Sequence, residues 1–133
     1  MIPIHFFVYG TLRRGQSNYQ RLLEGKEGFS FLGPAVTINK YTMFSSGIPF
    51  VHKQPEISVI KGEVFMVWDN KLIKSLDALE GHRDGERHGY HREKTPVRLD
   101  GGINMLAWLY FYYGVPHGTI VHSGDWLDRN NNK

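Results

Sequence analysis

Hydrophobic positions recur along this chain with two different periods. Between Ser58 and Trp68, Val59, Lys61, Glu63, Phe65 and Val67 alternate with Ile60, Gly62, Val64, Met66 and Trp68. That period of two predicts a strand crossing a core. Immediately afterwards Leu72, Ile73, Leu76 and Leu79 recur at helical spacing, with Asp69 or Asn70 as the cap and Gly81 as the stop. His5 to Tyr9 is aromatic and β-branched and breaks at Gly10, which predicts a buried first strand. Tyr90 to Leu99 and Ile103 to Tyr113 are extended runs joined by Asp100-Gly101-Gly102, a hairpin connection in which glycine supplies the positive φ angles. A short helix is expected from an Asn18 cap through Leu22 and Leu23 to Gly25. Two strands and a turn region are expected between Phe29 and Phe50. Past Gly114 the chain turns polar and rich in Gly, Pro and His, and it ends Asn130-Asn131-Asn132-Lys133.

Many strands and few helices, without alternating βαβ units, predict an α+β domain built on a strongly curved sheet or barrel. With 133 residues, 41% of them hydrophobic, one core is expected, giving a single domain over 1–129 and a disordered tail over 130–133. No apolar run approaches the ~20 residues that span a bilayer, and Met1-Ile2-Pro3-Ile4 lacks the layout of a secretory signal, so a cytoplasmic location is expected. The absence of cysteine excludes disulfides, thiolate nucleophiles and the usual structural zinc sites. A net charge of +3 raises nucleic acid as a partner, but the basic residues are scattered among nearly as many acids with no like-charged block, so none is expected.

Two segments carry candidate chemistry. In Tyr9-Gly10-Thr11-Leu12-Arg13-Arg14-Gly15 a strand exits into a loop bounded by glycines, where backbone amides can converge on an anion and Arg13 or Arg14 can add a fork for a carboxylate. Gln16-Ser17 stands where a P-loop needs Lys and Ser/Thr, which excludes nucleotide chemistry of that type. The second segment is Leu76-Asp77-Ala78-Leu79-Glu80-Gly81. Glu80 shares a helix side with Ile73 and Leu76 and sits in the last turn, so partial burial and the helix dipole both raise its affinity for a proton. A solvated Glu80, or one paired with Arg83, is the alternative. Asp77, three residues before Glu80, is near enough to form a carboxylate pair with it, but flanked by leucines it reads as a surface or packing-support residue. The stretch His82 to His91 does not fit a metal-ligand spacing, and none of the serines lies in a nucleophile elbow. On the last long strand, Trp108, Tyr110 and Tyr112 share a face, and a Tyr110 hydroxyl facing a site can bind substrate. Tyr90 and Arg92 share a face of the preceding strand, with Arg92 able to fix a carboxylate.

Taken in chain order, Phe7 to Asn18, Gly62-Glu63-Val64-Phe65, Leu76 to Gly81, Tyr90-His91-Arg92, Trp108 to Tyr112 and Ser123-Gly124-Asp125-Trp126 resemble the gamma-glutamylcyclotransferase family, in particular its gamma-glutamylamine cyclotransferase and AIG2-like branch. The resemblance implies a small mixed, mostly antiparallel β-barrel with flanking short helices. It implies that Tyr9, Gly10, Thr11 and Leu12 bind substrate, that Glu80 is the catalytic acid/base and that Tyr110 faces the site. The implied reaction turns a gamma-glutamyl amine or peptide into 5-oxoproline and a free amine, with no metal and no cofactor. A non-catalytic domain binding a small carboxylate on the same scaffold is the rival reading. The leaving amine is left open, its contacts being expected from the Phe29 to Phe50 region and the tail; so is the oligomeric state.

Overall fold

The computed structural model describes residues 3–80 and 89–131, without the side chains of Leu79, Glu80, Asn130 and Asn131. Five strands close into a barrel: β1 (Ile4–Val8), β5 (Lys61–Val67), β2 (Phe29–Thr37), β6 (Tyr90–Leu99) and β7 (Asn104–Tyr112), in that order round the wall. All neighbours are antiparallel except at the closure, where β7 meets β1 in parallel with Phe6 opposite Trp108. Beside the barrel lies a small sheet of β3 (Thr42–Ser45), β4 (Pro49–His52) and β8 (Thr119–Ile120) in the order β4-β3-β8.

The alternation along the strands sorts side chains into two cores. Phe7, Val64, Val97 and Leu109 point into the barrel, while Phe6, Val8, Phe65, Val67 and Tyr110 lie on its outer face. That outer face is covered by the helices α1 (Ser17–Leu22) and α2 (Asn70–Glu80), which contribute Tyr19, Leu72, Ile73 and Leu76. Where both faces are covered, at residues 6–8 of β1 and 64–67 of β5, the sequence is continuously hydrophobic. Each of the three buried aliphatic side chains of α2 contributes about 1.5–3 kcal/mol.

Local chemistry starts and stops these elements. The Asp69 carboxylate accepts from the Lys71 amide at 2.9 Å, capping α2 as expected. The β6–β7 hairpin turns at Gly101 and Gly102, with φ of 99° and 96°. Two expectations need correction. The residue before α1 is Gln16, with no side-chain cap; Asn18 lies inside the first turn. The Phe29 to Phe50 region contributes to three strands rather than two, because β4 begins at Pro49, a residue that reads as a break yet sits comfortably at the first position of an edge strand. At the C-terminus a 3-10 helix runs Trp126–Asn131, taking in the first two residues of the expected tail. Residues 132–133 lie outside the described residues. No helix among the described residues is long and apolar enough to cross a membrane.

Candidate active site

The loop leaving β1 is built around one turn. The Arg13 amide donates to the Gly10 carbonyl at 2.9 Å, making Thr11 and Leu12 its two central residues. The Thr11 carbonyl accepts from the amides of Asn18 and Tyr19 at 3.0 Å each, and the Asn18 side-chain amide donates to the Thr11 hydroxyl at 2.7 Å. The start of α1 therefore holds the turn from one side. Its N–H groups are left over: among the described residues, those of Thr11 and Leu12 find no acceptor. Gly10 is required by crowding, since a Cβ there would stand 2.3 Å from Pro49 Cγ. That close approach brings the β3–β4 connection against the loop.

The two arginines of the loop turn elsewhere. Arg13 donates from Nη1 to Asp125 at 2.8 Å, and its Nε lies 3.6 Å from Glu63 Oε2. The guanidinium of Arg14 stacks 3.9 Å above the Phe31 ring, while its amide donates to Glu63 Oε1 at 2.6 Å. The fork anticipated for an incoming carboxylate is thus occupied by the protein's own acids and an aromatic face.

Against the loop lies a cavity of about 140 Å³. Its floor includes Tyr9, Gly10, Leu12 and Tyr110, and its opening is bordered by Thr11, Asn18, Ile48 and Tyr90. Tyr9 donates its hydroxyl to the Tyr110 carbonyl at 2.8 Å, and Tyr90 donates to the Pro49 carbonyl at 2.9 Å. The structure therefore gathers Tyr9, Gly10, Thr11, Leu12 and Tyr110 around one cavity. Tyr110 lies on the outer, helix-covered face of the barrel, its ring stacked on Phe6 at 6.0 Å and its hydroxyl donated to Asp77 at 2.6 Å.

Arg92 completes that contact. It grips Asp77 with both arms of its fork, Nε to Oδ1 at 2.9 Å and Nη2 to Oδ2 at 3.3 Å, while lying 4.5 Å from the Trp108 ring. Among its described contacts, the carboxylate that Arg92 fixes is the protein's own Asp77. Glu80 follows Asp77 by three residues in the same helix. The Glu80 carboxyl, its orientation and its proton affinity lie outside the described side chains, as do residues 81–88. Sequence reasoning did not single out Ile48 or Pro49, and it gave Asn18 a capping role in place of its bond to Thr11.

Residues 6–128 match the model of the family described as gamma-glutamyl cyclotransferase, AIG2-like. The chain belongs to that family. It is 42% identical, over 93% of its own length and 96% of the other's, to a Methanocaldococcus jannaschii protein that carries the gamma-glutamylcyclotransferase name provisionally. It is 34% identical to the gamma-glutamylaminecyclotransferase of Rattus norvegicus, over 92% of this chain and 83% of that one. Among solved structures, the AIG2-like protein of Mus musculus superposes with a TM-score of 0.76 at 26% identity, covering 94% of this chain and 90% of that one. The barrel with few short helices is thus a gamma-glutamyl cyclotransferase fold.

Away from the cavity mouth, β4 and the segment after β7 enclose a second polar–aromatic group. His52 packs edge-on to Phe44 and Tyr112 at 5.5 and 5.6 Å, and His117 lies 4.7 Å from Phe50. Burial, and then the nearby His117, lower the proton affinity of His52 below the ordinary histidine value. Among the described residues, no cluster of three or more His, Asp or Glu is arranged to hold a metal ion.

Proposed function

We propose that this protein is a gamma-glutamylamine cyclotransferase: it cyclises the gamma-glutamyl group of an amide to 5-oxoproline and releases the amine, with Glu80 as its acid and base. The observation that carries the reading is the pair of unsatisfied main-chain amides, Thr11 and Leu12, lining a small cavity beside the helix that ends in Glu80. Two adjacent N–H donors without acceptors can bind the substrate's α-carboxylate without a charged side chain. The engagement of Arg13 by Glu63 and Asp125 supports this division of labour.

The chemistry needs little more. The α-amine attacks the γ-carbonyl carbon; a C–N bond closes the lactam and the original amide C–N bond breaks. Glu80 accepts a proton from the α-ammonium and returns it to the departing amine, so the enzyme ends as it began. Because nucleophile and electrophile belong to one molecule, holding the carboxylate so that the amine lies over the carbonyl lowers the barrier by several of the ~7–11 kcal/mol available to well-oriented intramolecular reactions. The likeness to the rat gamma-glutamylaminecyclotransferase supports an amine as leaving group.

The test is 5-oxoproline release from gamma-glutamyl-ε-lysine and gamma-glutamyl alkylamines by the wild-type protein and Glu80→Gln. Release by wild type and a loss of about 10²–10⁴-fold in the variant are expected. No release by wild type, or undiminished release by the variant, overturns the mechanism. Binding of 5-oxoproline without turnover would instead make the protein a carboxylate-binding domain.

A further inference from the structure

Resting on that reaction, we infer that Ile48 is the specificity-determining residue for the leaving amine, and that it selects amines whose first carbons form a flexible aliphatic chain. Three observations lead there. The first is size. A cavity of about 140 Å³ is close to the ~150 Å³ that accommodates one benzene-sized molecule. A gamma-glutamyl head folded toward a lactam ring fills such a space, so the amine lies outside it.

The second is the gradient of exposure from floor to mouth. Phe7, Val8, Tyr9, Leu12, Pro49 and Tyr110 are buried, and Thr11, Asn18 and Tyr90 are half-buried. Ile48 alone among the described lining residues is exposed, at 55%. A leaving group passing out of the cavity crosses these four residues, none of which carries a formal charge. A single exposed isoleucine is ordinary on a protein surface. At the rim of a cavity it is also apolar surface that a ligand can cover.

The third is that this isoleucine is held in place. It occupies the turn between β3 and β4, where its carbonyl accepts from the Ser46 amide at 3.0 Å beside Gly47 at φ 80°. The next residue, Pro49, is pinned from two sides. Its ring packs against Gly10, and its carbonyl accepts from Tyr90 at 2.9 Å. A side chain fixed at its backbone on both sides loses little freedom when a ligand covers it, so the contact is retained as affinity.

The experiment compares kcat/KM for gamma-glutamyl-methylamine and gamma-glutamyl-n-butylamine in wild type, Ile48→Ala, Ile48→Leu and Ile48→Glu. A ratio of two substrates on one preparation is independent of the fraction of enzyme that is folded. Each methylene moved from water onto an apolar surface favours binding, so wild type is expected to prefer the butyl substrate about tenfold. Ile48→Ala and Ile48→Glu should reduce that preference to about twofold or less, and Ile48→Leu should restore it. An unchanged butyl-to-methyl ratio in Ile48→Ala, or a wild type without preference, overturns the role of Ile48 while leaving the reaction standing. Absence of 5-oxoproline from both substrates overturns the reaction, and the role of Ile48 with it.

Discussion

Two arginines flank the cavity, and each is tied to acids by different routes. Arg13 lies behind the loop that leaves β1 and joins three parts of the chain: the loop itself, Glu63 on β5 and Asp125 ahead of the 3-10 helix. Among the described contacts, Arg92 clamps Asp77 of α2 onto the barrel, with the Tyr110 hydroxyl sharing the same carboxylate oxygen. The first brace thus shapes the amides that would hold the substrate, and the second fixes the helix that carries Glu80. Both charges serve the framework, so anion binding falls to neutral main-chain donors whose strength does not depend on a flexible side chain. Removing either brace should weaken the proposed activity, but through different kinetic constants.

The larger effect is expected at Arg13. Arg13→Met leaves two acids without their cation and should lower stability by about 3 kcal/mol, read as a shift of the urea midpoint. Its kinetic signature should be a KM raised about tenfold with a smaller change in kcat, because the loop binds the head group in ground and transition states alike. Asp77→Asn is milder, since the amide oxygen still accepts from Tyr110 and Arg92 Nε although the Nη2 bond is lost. A loss of about 1–2 kcal/mol is expected. Here kcat should fall more than KM rises, because the turn before Glu80 loosens. Equal KM-dominated effects in both variants would erase the distinction between the two braces.

How much of this was legible beforehand depended on sequence distance. The spacing of Leu72, Ile73 and Leu76 and the Asp69 cap announced α2, and Asp100-Gly101-Gly102 announced the β6–β7 hairpin, because each signal is local. The candidate loop was legible for the same reason, in the glycine that ends a buried strand. The destination of Arg13 was not: Asp125 is 112 residues away, and no local pattern separates an arginine that waits for a ligand from one bound to a distant acid. The parallel closure of β1 on β7 has no turn to announce it. Ile48 escaped notice because an isoleucine in a turn carries no chemical signal until the fold sets it at a cavity mouth. The part of the site held by Glu80 rests on sequence position and family resemblance.

The smallest effect concerns the wall behind Pro49 rather than either brace. His52 on β4 has its proton affinity lowered, first by burial and then by His117. The folded state therefore favours the neutral ring, and the unfolded chain takes up its proton first as pH falls. Stability is fully present above the ordinary histidine value of about 6.5 and declines below it until the folded form also titrates. A fall in Tm as pH drops below about 6.5 is expected, with a flatter profile in His52→Gln. An identical profile in that variant would assign the pH dependence to other groups.

If the Thr11 and Leu12 amides receive the carboxylate of the glutamyl head, titrating ¹⁵N-labelled protein with 5-oxoproline while following backbone amide resonances will reveal it. Saturable downfield shifts largest at Thr11 and Leu12 are expected, retained in Glu80→Gln, whose main-chain donors are unchanged. Saturable shifts centred elsewhere, with those two amides unmoved, would contradict it.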